Sequence, residues 1–136
     1  MHRFAVCFLL SAGLAASACS NDLVTTPTTT ATQTPTADTF TGTLTRNGAA
    51  SFPFASGPGR VQATLTTLAP DGTLLVGFSL GTWNGTACQI VLAVDNATQG
   101  TVVVGSATAS GNLCVRIYDV GNIVQPPSYQ IDVVHL

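Results

Sequence analysis

The 136-residue sequence predicts an all-β protein, an antiparallel β-sandwich or jelly-roll-like domain of about eight strands. Three observations carry that expectation. From Phe40 onward, short apolar segments are separated by turn residues at nearly regular intervals. Several of those segments alternate apolar and polar side chains with the period of a strand. No window long enough for a helix lacks Gly, Pro or a β-branched cluster.

In chain order, strands are expected near 40–45 (FTGTLT), 50–54 (ASFPF), 60–67 (RVQATLTT) and 73–80 (TLLVGFSL). Four more are expected near 87–95 (ACQIVLAVD), 101–107 (TVVVGSA), 113–119 (LCVRIYD) and 128–134 (SYQIDVV). Between them stand Asn47-Gly48, Gly57-Pro58-Gly59, Pro70-Asp71-Gly72, Asn84-Gly85, Gly111-Asn112, Gly121-Asn122 and Pro126-Pro127. These residues supply positive φ or fix φ near −65°. Val61, Ala63 and Leu65 share one face against Gln62, Thr64 and Thr66. Leu113, Val115 and Ile117 oppose Cys114, Arg116 and Tyr118, and Tyr129, Ile131 and Val133 oppose Gln130 and Asp132.

The chain contains no Lys and no Glu; its charges are four Arg and six Asp. So few cations cannot neutralise many phosphates, which disfavours nucleic acid as a partner. Low charge does not imply disorder here, because Val, Leu, Ile and Phe recur through the second half.

Residues 1–18, MHRFAVCFLLSAGLAASA, have a short basic start, an apolar stretch and a small-residue ending. That is the anatomy of a secretory signal peptide, too short for a membrane span. Export implies a compartment that permits disulfides. Three cysteines follow the cleavage point: Cys19, Cys88 and Cys114. Cys88 and Cys114 lie in the patterned domain and are expected to bond each other, closing a loop that contributes about 3 kcal/mol. Their parities conflict, since Cys88 shares the apolar parity of Ile90, Leu92 and Val94 while Cys114 shares that of Arg116. A bridge at strand ends is expected to relax the conflict. Cys19 is then the odd one out: a lipid attachment point, a free thiol or an intermolecular bridge.

The segment Ala16-Ser17-Ala18-Cys19 resembles the lipobox of bacterial lipoproteins, with Ala16 where Leu is usual. The resemblance implies cleavage before Cys19, acylation there, and membrane attachment through the N-terminal lipid. Ser20 in place of Asp implies the outer membrane. Ordinary cleavage after Ala18, giving a secreted chain, is the alternative. Residues 19–39 read as the anchor cysteine followed by a disordered linker; 23–39 hold nine Thr and two Pro. The domain is expected to span 40–136.

The search for chemistry yields no catalytic set. His135 is the one histidine after residue 18, and its place next to the last residue reads as solvated and frayed. No CxxC spacing exists, and no cofactor is expected. Asp119 and Asn122, in YDVGN, are weak candidates to flank a cation, although a turn held by Asx-type bonds explains them as well. Trp83, in LGTWNGTAC, is read on a loop, where it either stacks on a sugar, meets a protein or caps the sandwich end.

The segments FTGTLTRNGAASFPF, GNLCVRIYDVGNI and PSYQIDVVH resemble the bacterial pre-peptidase C-terminal domain family across residues 40–136. That resemblance implies a β-sandwich that accompanies secreted proteases and serves in binding or export. No protease motif is read in these 136 residues, so a role other than accompanying a protease is expected. The expectation is a non-enzymatic, lipid-anchored envelope protein displaying a binding or structural module. The alternative is a secreted accessory domain that binds a glycan or an envelope protein.

Overall fold

The strands form one long antiparallel ribbon rolled upon itself. The structure is a computed structural model and describes residues 32–136. The expected signal peptide, Cys19 and the linker as far as residue 31 lie outside the described residues. The strands are β1 (Thr36–Thr43), β2 (Ala49–Ser56), β3 (Gly59–Ala69), β4 (Val76–Trp83), β5 (Cys88–Ala97), β6 (Val102–Ala107), β7 (Gly111–Tyr118) and β8 (Ser128–His135). β1 pairs with β8, β2 with β7, β3 with β6 and β4 with β5, all antiparallel. The tip of this ribbon is the β4–β5 turn, where Asn84 Oδ1 accepts the N–H groups of Thr86 at 2.9 Å and Ala87 at 2.8 Å. Rolling brings β8 beside β3 and β7 beside β4, giving two four-stranded sheets, β1-β8-β3-β6 and β2-β7-β4-β5. That order is a jelly roll.

The alternation read from the sequence selects the core. Val61, Ala63 and Leu65 are buried, as are Val115 with Ile117 and Ile131 with Val133. Each large aliphatic side chain so buried contributes about 1.5–3 kcal/mol. In β3 the alternation would expose Leu68, but the register slips by one residue between Leu65 and Thr67, and Leu68 is buried. Aromatic rings close the side of the sandwich where β1 and β2 run. Phe40 stacks on Phe52 with centroids 4.9 Å apart, and Phe52 meets Tyr129 edge-on at 6.2 Å.

Three expectations need correction. β1 begins at Thr36, not Phe40, so the end of the expected linker is strand. Thr has good β propensity, and β8 supplies the backbone partners, with Thr36 opposite His135. β4 begins at Val76, not residue 73. Thr73 belongs to the preceding turn, its N–H and hydroxyl donating to Asp71 Oδ1 at 2.8 and 2.6 Å. Trp83 is consequently the last residue of β4 and not a loop residue.

The Cys88–Cys114 disulfide is formed. It crosses β4, because Cys114 pairs with Gly81 and Cys88 with Trp83. Strands two places apart in a flat sheet are separated by roughly 9.5 Å, yet the two cysteine Cα atoms lie 5.7 Å apart. A bulge in β5 opposite Leu80 and Gly81 accounts for the difference. It inserts Val91 and inverts the parity before it, so Cys88 and Ile90 share a face with Gly81 and Cys114 while Leu92 points inward with Leu80. The parity conflict is thus resolved by the bulge; Cys114 lies mid-strand, and only Cys88 is at a strand end. The Gln89 carbonyl occupies the space a side chain at Gly81 would fill, with Gln89 C at 2.7 Å and Ile90 Cα at 3.0 Å from a Cβ built there.

Gly81→Ala is therefore expected to lower the unfolding free energy by about 2–4 kcal/mol, measured by urea denaturation of the oxidised protein. A loss below about 0.5 kcal/mol, the range of an ordinary surface change, would contradict the packing of β5 over this residue.

Candidate functional site

On the side opposite the aromatic seal, the sheets do not close fully. β5 and β6, the last strands of their sheets, flank a cleft of about 310 Å³. Val61, Leu80, Leu92, Ala107 and Leu113 line it, and none of its lining residues is ionisable. Gly105 helps to create it. A Cβ there would stand 3.0 Å from Leu80 Cδ2 and 3.3 Å from Leu92 Cδ1, so a larger residue would fill the mouth. Val91 and Leu92 on β5 carry exposed apolar surface at the mouth, while Ile90 on β5 and Val102 and Val104 on β6 are exposed on the outer faces of the sheets. The cleft offers shape and apolar area, with hydroxyl and amide groups only from Thr82, Ser106, Thr108 and Asn112.

A second cavity of about 250 Å³ lies over the far end of β8, lined by Pro35, Arg60, Gln62, Val134, His135 and Leu136. His135 departs from expectation. It is 5% exposed, its ring lies 5.1 Å from that of Phe54, and its Nε2 is 2.9 Å from Asp38 Oδ2. Pairing of β1 with β8 brings Asp38 there. Ser56 is buried nearby, but its hydroxyl donates to the carbonyls of Gly57 at 3.0 Å and Leu136 at 3.3 Å. His135 Nδ1 also reaches the Leu136 carbonyl, at 3.3 Å. The histidine is held as a structural group between a carboxylate and a carbonyl, and among the described residues no nucleophile is hydrogen-bonded to it.

The weak cation candidates are engaged in the turns. Asp119 Oδ1 accepts the N–H groups of Gly121, Asn122 and Ile123 at 2.8, 3.0 and 3.2 Å, and Oδ2 accepts that of Asn47 at 2.8 Å. Asn47 has φ of 55°, which Asn tolerates well. Asn122 donates to the Leu75 carbonyl at 3.2 Å. These backbone donors, led by Asn47, hold the Asp119 carboxyl below its ordinary range. Trp83 is half-buried across from Cys88 and lines neither cavity.

Two polar groupings escaped the sequence. On the outer face of the first sheet, Asp132 accepts the hydroxyls of Thr39 at 2.7 Å and Thr66 at 2.5 Å, which lower its carboxyl. On the outer face of the second, the Tyr118 ring covers Gly77 and its hydroxyl donates to Asp95. Burial, and then the bond to Asp95, pushes that phenol up to about 12.

No protein-family model matches this chain, and no curated protein does. Two solved structures are similar in fold. The Yersinia pseudotuberculosis-derived mitogen matches with a TM-score of 0.57 and 14% identity, over 76% of this chain and 88% of that one. PliG of Aeromonas hydrophila, a periplasmic lysozyme inhibitor of g-type lysozyme, matches with a TM-score of 0.51 and 12% identity, over 73% and 86%. At such identities the likeness is one of architecture. The Cys88–Cys114 disulfide agrees with an extracytoplasmic location.

The Asp119 cluster has a measurable consequence. Asp119→Ala is expected to cost about 1–2 kcal/mol, the screened value of charge-assisted bonds at a half-exposed site. Because the folded carboxyl lies below its ordinary value near 3.9, its contribution is full above that value and fades as pH falls below it. Denaturation of wild type and variant should therefore differ at pH 7 and converge toward pH 2; a difference that persists in acid would contradict the role.

Proposed function

We propose that this chain is a non-enzymatic, lipid-anchored protein of the bacterial envelope that holds a jelly-roll domain at the membrane surface as a protein-binding module. The observation that carries the reading is the fate of the cysteines. Cys88 and Cys114 bond each other, so neither is available to Cys19, which follows an apolar, small-residue-terminated leader at the position lipoproteins acylate. Several acyl chains on one residue anchor far more firmly than a single chain does. Ser20 after that cysteine favours the outer membrane.

The cleft between β5 and β6 offers an uncharged, apolar contact of the kind that receives a side chain of a partner. One protein of similar fold is a periplasmic inhibitor of g-type lysozyme, and a protein met in the envelope is the partner class this analogy suggests. The engagement of His135, Ser56 and Asp119 in structural bonds supports the non-enzymatic part.

Detergent phase partition of the protein in its bacterial host tests the anchor. Wild type is expected in the detergent phase and Cys19→Ser in the aqueous phase. Wild type in the aqueous phase would overturn it and leave a secreted chain.

A further inference from the structure

β6 is the last strand of its sheet and, among the described residues, pairs with β3 alone. Edge strands of monomeric proteins are guarded by charge, proline, bulges or brevity. β5, the neighbouring edge, is guarded: its register breaks twice and it carries Asp95. β6 has none of the first three devices. Its register against β3 is unbroken from Gly59 opposite Ala107 to Thr64 opposite Val102, and no charged residue or proline lies between Asp95 and Arg116. Val102 and Val104 project from its outer face, 46% and 45% exposed, and Val91 of β5 is 68% exposed.

We propose that β6 pairs antiparallel with β6 of a second copy of this chain, about a two-fold axis through Val103, joining the two β1-β8-β3-β6 sheets into one. In this register Val102 of each copy faces Val104 of the other, and Thr101 faces Gly105. The four exposed valines become one contiguous patch of cross-strand β-branched pairs on the outer face of the joined sheet. Charge decides for a second copy over a different partner. Near a two-fold axis a charged residue lies close to its own symmetry mate, so a charge there is repelled by its copy. A different partner sets no such condition, since an opposite charge can answer each one. The uncharged stretch between Asp95 and Arg116 is what self-pairing requires.

Sedimentation equilibrium of the full chain, in detergent where it is extracted so, tests this at roughly 1–100 µM, the range of weak protein association. Wild type is expected to show a monomer–dimer equilibrium, and Val104→Lys to weaken it at least tenfold with the disulfide and far-ultraviolet spectrum unchanged. As a check that needs no variant, amide hydrogen exchange in β6 should slow as the wild-type concentration rises, while β5 amides change less. Wild type that stays monomeric, a dimer that Val104→Lys does not weaken, or β6 exchange independent of concentration would each overturn the proposal. A monomer whose β6 edge is protected only by an added extended peptide would overturn it too, by assigning the edge to another kind of partner.

Discussion

The bond between Cys88 and Cys114 is the constraint on which the rolled ribbon depends. A jelly roll needs its ribbon tip to fold back against strands distant in sequence, and here that contact is β4 against β7. The disulfide crosses β4 and fastens β5 to β7, so the tip is tied across the closure it must make. Gly81 permits the crossing because nothing projects from it into the Gln89 carbonyl. The bulge at Val91 brings Cys88 to the same face as Cys114 and leaves Leu92 in the interior. Three local features, a glycine, an extra residue and a cystine, thus form one device.

The domain has two unlike sides. Along β1 and β2 the sheets are sealed by Phe40, Phe52, Phe54 and Tyr129. Along β5 and β6 no ring fills the gap, and Gly105 faces Leu80 and Leu92 across it. The polar outer faces are fixed by side-chain bonds, with Asp132 gathering hydroxyls on one sheet and Tyr118 reaching Asp95 on the other. Five of the eight exposed large apolar residues, Ile90, Val91, Leu92, Val102 and Val104, lie on β5 and β6, beside the open edge.

Much of the fold was legible in the sequence because burial in a sandwich follows alternation. Val61, Ala63 and Leu65, and likewise Tyr129, Ile131 and Val133, lie inward as their spacing predicts. The misreadings have a common cause: features set by partners far along the chain. Thr36 and Asp38 looked like linker because their partners in β8 lie at the other end of the domain. His135 looked frayed for the same reason, its carboxylate partner being Asp38. The bulge that reconciles Cys88 with Cys114 adds one residue to an apolar run, and alternation alone gives no sign of where the phase changes. Trp83 reads as a loop residue because the apolar content of 73–75 reads as strand, whereas β4 starts at Val76 and runs to Trp83. The cleft depends on Gly105 meeting leucines of the opposite sheet, a juxtaposition that no local pattern encodes.

Cys88 and Cys114 tie the domain, and the third cysteine, Cys19, is the proposed anchor. The most direct test is the intact mass of the native protein, extracted in detergent without reductant and treated with a thiol alkylator. The account predicts a chain beginning at Cys19 that carries a diacylglyceryl and an N-acyl group, lacks the hydrogens of the Cys88 and Cys114 thiols, and takes up no alkylator. Alkylation at Cys88 and Cys114 would contradict the tie across β4, and an unmodified, alkylated Cys19 would contradict the anchor.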